Sequence, residues 1–448
     1  MSQLKSKITK LWKKYGNQLL SNILTVGLVS IAVKCIGLFK EILIADTYGV
    51  SQLLDTYLIA VLVPTFIQSV FLEAYGSVFI PNYVQAKKEA TDTRGFVSSN
   101  LLIVLGISLI LMIITYWGID IYLEILFPGH EVIYYELIKT QLFLILPSIP
   151  FWGISALLSG LLMVNDDFLY SSMHTALIPI VTIILLLFGQ SFFQEKTLAL
   201  GMLIGSILGS TYLIFLAHYK KVINMYVPDF KSDAIRVLFR QIPAKISSGL
   251  INGLNPMIDQ YFSAQLTIGA ISSLSYGYKI PMVAISLVTA PLGSALLPYF
   301  SKKAADDQNG QLFLDLKNII GKGFLFMGCF ALVLIVFSRF MVSMLFERGA
   351  FSSDDTLQVY LIQQMYLLQL PFYVAGLVMN KYLTAINRNN FLVLSSLVSL
   401  VLNIILNAIF IKIMGAKGLA LATAMVSLCN GLVIYSYILK LNKKHTYV

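Results

Sequence analysis

The chain has 448 residues, of which 57% are hydrophobic and only 12% charged. Soluble domains carry about 45–50% apolar and about 25% charged residues, so an ordinary soluble enzyme, a disordered protein and a secreted disulfide scaffold are excluded, and an all-α polytopic membrane protein remains. The formal net charge of +10 sits in basic residues between apolar runs, which points to a membrane surface and not to nucleic acid as partner.

In chain order, residues 1–20 come first. The opening MSQLKSKITKLWKKYG is Lys-rich and lacks a small-residue cleavage site. It reads as a cytoplasmic interfacial segment with Leu4, Ile8, Leu11 and Trp12 on one face, ahead of an uncleaved first span. A spanning helix needs about 20 mostly apolar residues. Twelve stretches qualify, near 21–44, 56–80, 97–119, 138–163, 171–190, 198–218, 242–264, 270–297, 322–345, 357–383, 391–413 and 416–440. They divide into an N-lobe over 21–218 (six spans), a basic cytoplasmic linker over 219–241, a C-lobe over 242–440 (six spans) and a cytoplasmic tail over 441–448. With the N-terminus inside, 22 of the 32 Lys and Arg residues fall in inner segments and 6 in outer ones. That bias places both termini in the cytoplasm.

Two stretches recur at an offset of 217 residues. Pro64 matches Pro281, Gly76-Ser77 matches Gly293-Ser294, and Pro81 matches Pro298. A second echo pairs Pro150-Phe151-Trp152 with Pro371-Phe372-Tyr373. The reading is duplication of a six-helix unit. An even helix number gives both copies the same orientation, hence a parallel pseudo-repeat around a central cavity.

Charges inside spans are costly, about 2.5–3.5 kcal/mol at the bilayer centre on insertion scales, and are functional candidates by default. They cluster on spans 1, 2, 7 and 8: Lys34, Lys40 and Glu41; Asp55 and Glu73; Lys245 and Asp259; Lys279. The bland readings are snorkelling for Lys40–Glu41, an interfacial place for Lys245 and a helix cap for Asp55. The functional reading is a cavity with a net positive floor, suited to a phosphate or diphosphate. Lys34, Lys40 and Lys279 are the substrate-binding candidates. Glu41, Asp55, Glu73 and Asp259 are the charge-pairing or gating candidates. Gly37, Pro64, Pro281, Pro291 and Gly293 are the candidate hinges.

No catalytic motif is found. The chain holds no G-x-x-x-x-G-K-[ST] loop, no G-x-S-x-G and no His-based metal motif. Cys35, Cys329 and Cys429 lie far apart in apolar runs, and His130, His174, His218 and His445 show no ligand spacing. The expectation is a non-enzyme without metal or organic cofactor, driven by the membrane potential or by an ion, Na+ or H+.

Several blocks, in order, resemble the N-terminal signature of the MurJ (MviN)-type lipid II flippases. They are Ile36-Gly37-Leu38-Phe39-Lys40-Glu41, Tyr48-Gly49-Val50, Asp55-Thr56-Tyr57, Val63-Pro64, Phe71-Leu72-Glu73-Ala74 and Phe79-Ile80-Pro81. Later blocks match as well: Tyr276-Gly277-Tyr278-Lys279, Gly293-Ser294-Ala295-Leu296-Leu297-Pro298 and Leu345-Phe346-Glu347-Arg348-Gly349-Ala350-Phe351 with Asp354-Asp355-Thr356. The family belongs to the multidrug/oligosaccharidyl-lipid/polysaccharide exporter superfamily. The resemblance implies alternating access in the bacterial cytoplasmic membrane. A polyprenyl-diphosphate-linked glycan, lipid II or similar, would be the cargo, with membrane lipid and cell-envelope synthesis enzymes as partners. It places the family's basic cavity residues on Lys34, Lys40 and Lys279, its outer aspartate on Asp55 and a glutamate of its second helix on Glu73. Lysines stand here where the family usually has arginines, the pair of arginines after Pro64 is replaced by Gln68-Ser69, and typical members have two helices beyond these twelve. A flippase for a capsule- or O-antigen-type oligosaccharide is the alternative within the same mechanism. A cation-coupled multidrug antiporter is a further one, which the lysines disfavour.

Overall fold

A computed structural model describes residues 27, 29–89, 93–223, 226–230, 232–306 and 311–446. The expected interfacial segment over 1–20, with the first residues of the span at 21–44, lies outside the described residues. What is described is helical, with no strand among these residues. The helices are α1 (29–48), α2 (Gln52–Lys88), α3 (Thr93–Leu126), α4 (Val132–Val164), α5 (Phe168–Phe188), α6 (Gln190–Tyr219), α7 (Asp233–Ser263), α8 (Ala270–Asp306), α9 (Gln311–Val336), α10 (Ser338–Phe346), α11 (Ser353–Ala385), α12 (Asn389–Met414) and α13 (Ala416–Thr446).

Ten helices are long and apolar enough to cross a bilayer among the described residues: α2 to α6, α8, α9 and α11 to α13. The expected spans at 21–44 and 242–264 are the other two. The first corresponds to α1, whose start is not described. The second lies in α7, which carries Arg236, Arg240, Lys245, Asn255, Asp259 and Gln260 and is too polar to qualify by hydropathy. Helices overrun the apolar stretches at their ends, because hydropathy marks only the lipid-immersed part. The stretch expected as one span at 322–345 is instead divided at Phe337 between α9 and the short α10.

The duplication is legible in element lengths. Helices α2 and α8 are each 37 residues long, and each contains the paired prolines, Pro64 and Pro81 in one, Pro281 and Pro298 in the other. Helices α4 and α11 are each 33 residues long. Both break part-way, at Leu146-Pro147 and at Leu368-Gln369, just ahead of the echoed Pro-Phe pairs. The proline lacks an amide donor, so the ladder is interrupted at a matching place in each copy.

The chain forms two compact units. Unit 1 takes the residues up to Ile44 together with Ile59–Gly249; unit 2 takes Ala45–Leu58 and everything from Leu250. In unit 1, Phe79 stacks on Phe96 at 5.7 Å among Leu157, Leu161 and Leu213, all buried. Gly160 lets α4 come against Ile80 of α2, where a Cβ would collide. Without a hydrophobic drive between helices in lipid, such close approach is what holds a bundle together. Polar ties add to it: the Tyr75 hydroxyl donates to Asn100 at 2.6 Å, and the Trp152 indole to Ser206 at 2.7 Å. In unit 2, Phe300, Leu316, Val378, Leu383 and Ile434 form a core between α8, α9, α11 and α13.

Candidate functional site

Four of the sequence blocks that carry the resemblance, those around Gly49, Asp55, Tyr276 and Gly349, fold onto one another within unit 2. Helix α1 ends in a tight turn at Gly49, with φ +55°. The Glu347–Phe351 loop meets it at Gly349, with φ +53°. The Ala350 amide donates to the Asp46 carbonyl at 2.8 Å. A Cβ on Gly49 would strike the Ala350 carbonyl, and one on Gly349 would strike Asp46. Two backbones therefore touch where only glycine fits. The Tyr276 ring packs on Phe346 and Phe351, centroids 5.2 and 5.3 Å apart, and its hydroxyl donates to the Gly49 carbonyl at 3.3 Å.

Asp55 locks this assembly. It is 2% exposed. One carboxylate oxygen accepts the Gly269 amide at 2.6 Å and the other the Ser272 amide at 2.7 Å. These amides open helix α8, which has no partner for its first N–H groups from its own backbone. A carboxylate in this place satisfies orphan donors and faces the positive end of the helix dipole. Asp55 was a candidate gating charge. The structure places its carboxylate on a helix N-terminus, the bland alternative named for it, although the helix capped is α8 and not its own.

Next to the knot, Glu347 accepts the Thr356 hydroxyl at 2.9 Å. Hydrogen bonds from Ser343 and Thr356 hold its carboxyl below the usual glutamate range. Ser352 and Asp355 complete a capping box at the start of α11.

A second polar feature lies inside unit 2. Asp259 of α7 accepts the Asn407 amide of α12 at 2.8 Å. Asn403, one turn back, donates to Asn255 at 3.2 Å and accepts from Asn407. Asn255, Asp259 and Asn403 line a cavity of ≈ 510 Å³ together with Tyr278, Tyr366, Gln369 and Thr423. Among the lining groups, the Gln260 side-chain oxygen and the Gln369 amide nitrogen are buried without a protein partner, and so is the oxygen of Asn407, which lies outside the lining. Such orphan groups in a roomy polar site call for water or an ion. No cluster of three His, Cys, Asp or Glu side chains exists among the described residues, so the donors are amide, hydroxyl and one carboxylate. Oxygen donors of this kind suit a hard cation or water and not zinc. Asp259 was singled out from the sequence; Asn403 and Asn407 were not. Their four-residue spacing in the mostly apolar second half of α12 was the available signal, since it sets two amides on one helix face.

The remaining candidates divide between the units. In unit 1, Lys34 is exposed in the first third of α1, and Lys40 forms an ion pair with Glu41 at 2.9 Å. Glu73 is exposed, directly after a π-helical turn at Gln68–Leu72 that follows Pro64. The Thr65 hydroxyl donates to the Val61 and Leu62 carbonyls on this irregular stretch. Gly37 has open space on its Cβ side. In unit 2, Lys279 is half-buried on α8, between the cavity-lining Tyr278 and Pro281. Pro281, Pro291 and Gly293 lie within the uninterrupted helix α8, so α2 and α8 share their prolines but only α2 carries the π-turn.

Comparison with known proteins agrees with these features. The sequence pattern of the family described as lipid II flippase MurJ matches residues 44–447. A lipid II flippase MurJ of Thermosipho africanus is 28% identical over 406 residues, covering 88% of this chain and 80% of that protein. A probable lipid II flippase MurJ of Buchnera aphidicola subsp. Schizaphis graminum is 24% identical over 430 residues, covering 93% and 82%. Among solved structures, a lipid II flippase MurJ in an inward closed conformation superposes with a TM-score of 0.80 at 26% identity, covering 93% of this chain and 87% of that one. An inward-facing multidrug resistance MATE transporter of the MOP superfamily shares the fold, with a TM-score of 0.76 at 13% identity. The chain is a multi-pass membrane protein and belongs to the lipid II flippase MurJ family.

Proposed function

We propose that this chain moves lipid II from the inner to the outer leaflet of the bacterial cytoplasmic membrane, with both termini on the cytoplasmic side. The family match from residue 44 to residue 447 carries the reading. It belongs to a family of transporters and not of catalysts. Lys34, Lys40 and Lys279 neutralise the diphosphate of the cargo. Lysine acts there as a mobile point charge, which can follow a moving phosphate better than a planar guanidinium. Glu41 keeps Lys40 paired when no cargo is present, and the 2.9 Å contact between them supports this. The π-turn after Pro64 gives α2 a place to bend, since irregular turns are where long helices kink.

A cation, Na+ or H+, is proposed to couple transport through Asp259, Asn403 and Asn407. The orphan oxygens around that cavity support a bound ion. When present, the ion would supply only charge compensation: Na+ would be held by these oxygens, and H+ would be taken up by the Asp259 carboxylate.

The test is complementation of a bacterium depleted of its lipid II flippase. The unaltered chain is expected to restore growth and lipid II export. Lys34→Ala and Lys279→Ala are expected to fail while reaching normal membrane levels. Full rescue by both variants would overturn the assignment of these lysines, and failure of the unaltered chain would overturn lipid II as cargo.

A further inference from the structure

The cavity beside Asp259 has a neighbour within unit 2. A second cavity, of ≈ 290 Å³, shares Asn255, Tyr373, Val426 and Ser427 with it as lining. Beyond that common wall the second cavity is lined by Gly376, Asn380, Ser396, Ser399 and Asn430. Asp259 is the only charged residue lining either cavity among the described residues.

Polar residues are costly inside spans, and here they recur in register. On α12, Ser396, Ser399, Asn403 and Asn407 follow at helical spacing and share one face. Thr423, Ser427 and Asn430 do the same on α13, and Gln369, Tyr373 and Asn380 on α11. The α12 stripe starts at Asn407, which donates to Asp259, and runs toward the Asn389 end of the helix. The Lys and Arg bias assigns that end to the cytoplasm. From Asn407 to Ser396 the rise is about 16 Å, about half of a hydrocarbon core.

The second cavity presents oxygen acceptors. The Ser396, Ser399 and Ser427 hydroxyls donate to the Leu392, Ser395 and Thr423 carbonyls of their own helices at 2.9, 2.9 and 3.1 Å. Each hydroxyl has one hydrogen, so what is left of it can only accept. The side-chain oxygens of Asn380 and Asn430 are buried without a protein partner. Neutral oxygens replace part of a cation's hydration shell, and with no carboxylate among them they let it go again. We propose that this second cavity is the inner access route by which Na+ reaches and leaves Asp259. The inference rests on the reading of Asp259 as a cation site and adds the path to it. Gly376 offers a way to close that path: it lines the second cavity, and a Cβ added there meets nothing within 4 Å, so a leucine at this place enters open space.

The experiment uses the full chain in inside-out membrane vesicles, with Cys35, Cys329 and Cys429 replaced by serine and single cysteines returned one at a time. Ag+, a monovalent cation that bonds thiolate, is added from the cytoplasmic face, and unreacted thiol is counted after unfolding. Asn380→Cys and Asn430→Cys should react at least about tenfold faster than Leu397→Cys on the exposed side of α12, because a bare charge does not enter lipid. Thr423→Cys, in the first cavity, should react too and be protected by Na+. Its reaction should slow by about tenfold or more when Gly376→Leu or Asn380→Leu fills the second cavity. Both filled variants should unfold no earlier than the parent, which separates blocking from misfolding. Unchanged reaction at 423 in both, or reaction at 380 and 430 no faster than at 397, would overturn the route while Na+ protection still upholds the cation site. Absence of Na+ protection at 423 would overturn the cation site, and the Na+ route with it, even where 380 and 430 react.

Discussion

Asp55 separates two roles that a buried acid in a transporter can have. If it were a charge that meets cargo, its removal would spare the fold and stop transport. Its two amide partners argue for the reverse. Asp55→Ala leaves the Gly269 and Ser272 amides buried and unpaired, each at about 1–3 kcal/mol, so the variant should unfold at least about 2 kcal/mol more easily, read by thermal unfolding in detergent. Asp55→Asn keeps one acceptor and should fall between. Lys34→Ala, on an exposed site, should leave stability unchanged within about 0.5 kcal/mol. Glu347 gives a pH-dependent counterpart. Its folded-state pKa lies below the ordinary 4.5, so the folded state holds the anion more tightly than the unfolded state does. Its contribution is complete above that value and is lost as pH falls through the lower, folded one. Hydrogen exchange of the loop near Thr356 should therefore quicken on acidification below about pH 4.5 in the parent, and Glu347→Gln should flatten that dependence.

At the scale of elements, the meeting of Gly49 and Gly349 is an unforgiving contact in unit 2, since both glycines have positive φ and each added Cβ would strike backbone. Gly49→Ala needs both a left-handed alanine and a shift of the Ala350 carbonyl. The first costs about 1 kcal/mol and the second adds more. The expected outcome is a loss of about 2 kcal/mol or more, with exchange rising at residues 346–352 and the core around Phe300 unaffected. This is also where sequence reading reached furthest and fell short. The blocks around Gly49, Asp55, Tyr276 and Gly349 were visible through their resemblance to the family's motifs. That they form one knot was not visible, since spacing along a chain does not say which turns meet. The break at Phe337 was missed for a related reason: a run of apolar residues continues through it.

For the molecule as a whole, composition and periodicity were enough to give the helical membrane class and the duplication. Both rest on properties summed over many residues, and helices of matching length, 37 and 33 residues, stand at the corresponding places. The polar interior of unit 2 was only half legible. Asp259 is conspicuous as a charge in a span; Asn403 and Asn407 are neutral and leave a hydropathy profile nearly unchanged. If their cavity holds the coupling ion, lipid II export should depend on one cation gradient. Asp259→Asn should abolish that dependence, and retained sodium or proton dependence in the variant would place coupling elsewhere.

The cap on α8 also has a consequence in time. Asp55 precedes the amide of Gly269 by 214 residues. At about 5–20 residues per second, a ribosome needs roughly 10–40 s to deliver the partner. Throughout that interval a nascent chain carries this acid without the two amides that hold it in the folded protein. During biogenesis the early helices must therefore stay loosely settled, or shielded by the insertion machinery, until the second copy emerges. A chain stalled before α8 should be a substrate for quality-control proteolysis.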